Sequence, residues 1–203
     1  MDTYEKEMYD FLTQRDNFEN MVKVLGMKDM IRENLVVDFW DAVYEKLVEL
    51  NKANNIWEVK KPKTNQGYFQ GEDSSVFLYK KSWMVNEKDS PVVIGWASLA
   101  NKMFYGIWVY YDKSHFDNQR VIEAVRPKAY EKKFESNDIW PLSSKTYDYN
   151  FMEFNQLDHI LPDRREALAK EFAKTLFHLA EEFESILDTA IKSTSTIQPK
   201  HKW

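Results

Sequence analysis

Residues 91–112, PVVIGWASLANKMFYGIWVYYD, constrain this chain more than any other stretch. Apolar and aromatic residues alternate across two runs separated by a short polar turn at 99–102, the signature of two antiparallel strands. In the first run Val92, Ile94 and Trp96 share a face. In the second, Met103, Tyr105, Ile107, Val109 and Tyr111 share one, with Phe104, Trp108 and Tyr110 opposite. A strand apolar on both faces belongs at the centre of a sheet, covered on both sides. Gly95 and Gly106 fall inside these runs, where a missing side chain marks a bulge or the close approach of another group.

The flanking segments read as helices. Asp2 followed by Glu5 has capping-box spacing, and Met8, Phe11, Leu12, Met21, Val22 and Leu25 supply an apolar stripe up to Gly26. The same spacing recurs at Asp16 and Glu19 and marks a break near Arg15. Ile31, Leu35, Phe39, Val43, Leu47 and Leu50 recur every three or four residues, so a second helix over 28–54 closes an antiparallel helical hairpin. Val36, Val37 and Trp40 widen its apolar face. A third strand is expected over 75–83, a short helix over 116–134 interrupted before Pro127, and a turn at 138–141. A long helix follows, capped by Asp163 with Glu166, and carries a stripe from Leu168 to Ala190.

The expectation is an α+β domain: an antiparallel sheet of about four strands flanked by an N-terminal helical hairpin and a long C-terminal helix. One domain spans 1–192, with the hairpin in 1–54, the sheet region in 55–160 and the terminal helix in 161–192. Residues 193–203 read as a flexible tail. With 203 residues, a single core burying roughly 70% of the unfolded surface is the default.

Composition narrows the chemistry. There is no cysteine, which removes disulfides and thiolate chemistry. The four histidines, His115, His159, His178 and His201, have no metal-ligand spacing. No phosphate-cradling glycine loop and no nucleophile elbow occurs. Neither a metal nor a cofactor is expected. The first residues are acidic and helical, and no window approaches 18 consecutive apolar residues, so the chain reads as cytoplasmic and not membrane-bound. Charge divides unevenly: 12 acids and 7 bases in residues 1–55, 10 and 13 in 56–135, and 11 and 8 in 136–203. The basic excess is too small for strong nonspecific DNA binding.

Two sets of residues carry candidate chemistry. Aromatic residues make up 15% of the chain, and Trp83, Trp96, Tyr105, Trp108 and Tyr110 could line a groove on the sheet that stacks on a base or grips an apolar side chain. Lys60 and Lys61, in the loop over 55–73, would lie beside it. The alternative is Glu58-Val59-Lys60. At E-x-K spacing on a strand both side chains point to one side, where the carboxylate can hold a divalent cation and the lysine can stabilise an attacking water.

The order of NLVVDFWDAV (34–43), IGW (94–96), FYGIWV (104–109), IWP (139–141) and the helix after Leu161-Pro162 resembles the C-terminal accessory region of bacterial and phage proteins of the PD-(D/E)XK nuclease superfamily. The resemblance covers most of 28–190. It implies a binding or regulatory module without the catalytic core, from a phage or host-defence setting. The leading expectation is therefore a non-enzymatic module that binds a protein, or else a nucleotide-like ligand or nucleic acid. The alternatives are a metal-dependent nuclease using Glu58 and Lys60, and an oligomerisation module that buries its helical hairpin.

Overall fold

A computed structural model describes residues 2–62, 76–84, 90–99, 102–109, 117–136, 141–146 and 149–194. Three helices come first: α1 (Thr3–Leu12), α2 (Arg15–Gly26) and α3 (Lys28–Asn51). Five strands follow, β1 (Glu58–Lys60), β2 (Phe77–Tyr79), β3 (Val92–Leu99), β4 (Lys102–Val109) and β5 (Leu142–Thr146). Helix α4 (Asn118–Glu131) lies between β4 and β5, and α5 (Pro162–Thr194) ends the described chain. The sheet is an antiparallel meander in sequence order. The α+β expectation holds, with an antiparallel sheet, N-terminal helices and a long C-terminal helix.

Strands β3 and β4 lie inside that sheet, between β2 and β5. Val92 pairs with Val109 and Leu99 with Lys102, so β3 and β4 are in full register. Ile94, Trp96, Tyr105 and Ile107 share the face on which α5 packs, and the Trp96 ring stacks on Phe172 of α5 at 4.2 Å. Val93 and Trp108, on the other face, are buried too. The two glycines form a cross-strand pair, Gly95 with Gly106. A Cβ on Gly106 would lie 2.0 Å from the Leu142 carbonyl oxygen, so only glycine lets β5 approach this closely.

Helix α3 enters the core through Phe39, Trp40, Val43 and Leu47. Phe39 meets Phe172 edge-on at 5.2 Å, and Trp40 lies at 6.1 Å from the same ring, so α3, α5 and β3 share one aromatic cluster. At the end of α3 the buried Asn51 amide turns the chain. Its Nδ2 donates to the Trp57 carbonyl at 2.7 Å and its Oδ1 accepts from the Trp57 N–H at 3.1 Å. Asn55 takes the positive φ of 50° that this tight return requires.

Local differences from the sequence reading have local causes. Glu58–Lys60 is a strand rather than loop, because Asn51 presents it to β2, and β5 adds the other strand that short polar residues conceal. Among the described residues of the expected third strand, Phe77–Tyr79 pair into the sheet, and Lys81–Trp83 forms a 3-10 turn. Helix α4 runs through Pro127, which is exposed: the carbonyl deprived of its partner lies on the solvent side. Helix α5 begins at Pro162, which fits a first helical position because its missing N–H has no helical partner anyway. Asp163 thus sits in the first turn instead of capping it, and the helix continues through Thr194, past the expected end at 192.

Candidate interaction surface

The sheet aromatics are packed inside. Trp83, Trp96 and Trp108 are 1%, 2% and 4% exposed, which leaves no indole face free to stack on a ligand. Trp96 donates its indole N–H to the Phe172 carbonyl at 3.2 Å, and Tyr105, half-buried, lies against Trp96 at 4.8 Å and Phe134 at 5.9 Å. Tyr110 and residues 63–73 of the expected loop lie outside the described residues.

Trp83 belongs to a polar cluster that clamps the sheet to α5. Lys80, almost fully buried, donates to Glu184 at 2.6 Å and Asp188 at 2.7 Å, while the Trp83 indole N–H donates to the other Asp188 oxygen at 2.6 Å. Trp57 meets Trp83 edge-on at 5.5 Å, and the Lys80 ammonium lies 5.6 Å from the Trp57 ring. Burial alone would push the Asp188 carboxyl up, but the hydrogen bonds from Lys80 and Trp83 outweigh it and hold it below its ordinary value. Burial would likewise lower Lys80, and the two carboxylates raise it instead. Both Asp188 oxygens and the Trp83 indole N–H find their partners within the chain, so the cluster fastens the sheet to α5, while the buried Trp57 indole N–H has no hydrogen-bond partner.

Glu58 and Lys60 do share a face, as their spacing requires. The Glu58 carboxylate faces two ammonium groups, Lys60 at 3.6 Å and Lys81 at 3.2 Å. Lys61 reaches back to Asp41 of α3 at 2.7 Å and lies 5.3 Å from the Tyr44 ring. Among the described residues no group of three or more acidic or histidine side chains is arranged to hold a metal ion. An open groove of about 490 Å³ runs between α4 and α5, and the Arg120 guanidinium crosses its end to the Ser193 carbonyl at 2.9 Å.

The surface that stands apart is at the N-terminus. No residue of α1 or α2 is buried, although both helices are amphipathic. In α1, Tyr4, Met8 and Phe11 recur at helical spacing; in α2, Phe18, Val22 and Leu25 do the same. All six are exposed, from 40% at Met8 to 69% at Tyr4. The two helices are nevertheless fixed to each other. Asp2 and Glu5 form the complete capping box at the start of α1. At the corner, the Asn17 side-chain amide donates to the Phe11 carbonyl at 2.9 Å. The break thus falls at Thr13-Gln14, and Gln14 takes the N-cap position that the spacing of Asp16 and Glu19 had suggested nearby.

Among the described residues no helix is long and apolar enough to cross a membrane. No family model, no curated protein and no solved structure matches this chain. Of the stretches quoted from the sequence, 34–43 lie in α3 and 94–96 and 104–109 in the central strands.

Proposed function

We propose that this chain is a non-enzymatic interaction module that recognises a protein through the apolar face of α1 and α2. The observation that carries the reading is the exposure of that face. Large exposed apolar patches on folded monomers mark interaction sites, and helices of 10 and 12 residues gain most of their stability from covering such a face. The binding surface therefore moves from the sheet aromatics, which hold the core, to a separate pair of helices. A cysteine-free chain needs no oxidising environment, which suits the cytoplasm. With Glu58 held between two lysines, the nuclease reading gains no support from the arrangement.

The test compares the tagged full chain with its Phe11→Glu/Leu25→Glu variant in extracts of the native source. Neither side chain is buried, so the variant keeps the far-UV circular dichroism of the parent. The expected result is a protein retained stoichiometrically by the parent and lost by the variant. Equal retention by both, or retention of nucleic acid alone, would overturn the reading.

A further inference from the structure

We infer that Gly26 and Met27 form a hinge, on which α1 and α2 swing as one arm between an interrupted form and a form in which α2 and α3 run as a single helix. The junction is one residue long: Met27 caps the end of α2 and the start of α3. Its N–H still donates to the Lys23 carbonyl at 3.1 Å, and its carbonyl accepts from the Ile31 N–H at 2.9 Å, so helical bonding reaches it from both sides. Its φ of −94° and ψ of −2° lie about 30° and 40° from helical values. A small rotation within one residue therefore joins the two helices without crossing a forbidden region.

No packing fixes the angle at this point. Every residue over 22–30 is exposed, a Cβ on Gly26 would meet nothing within 4 Å, and no side chain caps the start of α3. Glycine weakens a helix interior, while the interruption gives up backbone hydrogen bonds, so the two forms lie close in free energy and both are populated. The arm itself stays one body, because the Asn17 amide and the Gln14 N–H hold the same Phe11 carbonyl at 2.9 and 3.3 Å. In an unbroken helix, steps of four and three residues lead from Phe18, Val22 and Leu25 through Asp29 and Arg32, paired at 3.1 Å, to the buried Val36 and Phe39. Straightening thus brings the exposed stripe of α2 into line with the core-facing stripe of α3. A partner that recognises the arm in one form meets only that fraction of the chain, so Gly26 sets its affinity from outside the contact.

Pulsed electron paramagnetic resonance on the full chain tests this. The sequence has no cysteine, so Asn20→Cys/Glu45→Cys, both at exposed positions, carries spin labels on either side of the junction and nowhere else. A continuous helix sets their backbones about 38 Å apart. The expected result is two populations, one near that distance and one shorter. Gly26→Ala in the same background should raise the ratio of straight to interrupted roughly fivefold, and Met27→Gly should lower it by a similar factor. The control pair Glu33→Cys/Glu45→Cys, within α3, should give one narrow distance. A single narrow distance across the junction that neither substitution moves overturns the inference, as does a spread equally wide in the control pair. The labels read the chain without a partner, so a rigid junction leaves the capture result of the interaction face standing, and a failed capture leaves the hinge standing.

Discussion

Two regions of this molecule are rich in aromatic and aliphatic residues, and they use them oppositely. Around β3, β4 and α5 the rings of Phe39, Trp40, Trp96 and Phe172 meet each other at 4.2 to 6.4 Å and are sealed from water. In α1 and α2, Tyr4, Phe11 and Phe18 occupy an equally regular stripe and stay about half exposed or more. Periodicity announces an apolar face; it does not say which body will cover it. In the sheet the cover is the chain's own long helix, and at the N-terminus the described residues offer none.

The contrast is sharpest in stability. Trp96→Ala removes a fully enclosed ring and its hydrogen bond to the Phe172 carbonyl, and should lose about 4 kcal/mol in urea unfolding followed by circular dichroism. Gly106→Ala comes next, at about 3 kcal/mol, because the added Cβ meets backbone of β5 that cannot swing aside. Asp188→Asn should cost about 2 kcal/mol by weakening the contacts to Lys80 and Trp83. At the other extreme, Phe18→Ser should stay within about 0.5 kcal/mol at concentrations where the chain is monomeric. A large loss at Phe18 under those conditions would break the contrast by showing that the domain covers its own stripe.

The Lys80 clamp adds a pH signature to the core alone. Asp188 is held below its ordinary 3.8, so its contribution is present above that value and is lost as the pH falls through the lower folded one. Lys80 is raised above 10.5, so its contribution is full below 10.5 and disappears as the pH rises through the higher folded value. Thermal unfolding of the parent should fall at both extremes. In Asp188→Asn the acid limb should be shallower, whereas Phe18→Ser should leave both limbs unchanged.

Much of the fold was legible because its signals are local. The alternation in 91–112, the Asp2-Glu5 box and the stripes of α3 and α5 each follow from a period of two or of 3.6 residues. Strands β1 and β5 were harder to read, since three and five residues of mixed polarity pair only because neighbours present them. The paired glycines were visible as anomalies, yet only the packed sheet shows that Gly106 admits the Leu142 carbonyl. The candidate surface was the least legible part. The stripe of α1 and α2 is readable residue by residue, but its period places it only in an antiparallel helical hairpin and does not say what covers it. Nothing in the order of residues tells that α5 covers Trp96 and that no described helix covers Phe18.

Hydrogen exchange with mass spectrometry, run on the full chain at several concentrations, tests the central claim most directly because it reads both regions in one sample. The account predicts that amides in 3–26 exchange fast, while those in β3 and β4 stay protected throughout. Exchange in 3–26 as slow as in the sheet even at the lowest concentration would show that this chain covers its own N-terminal face, and would contradict the account.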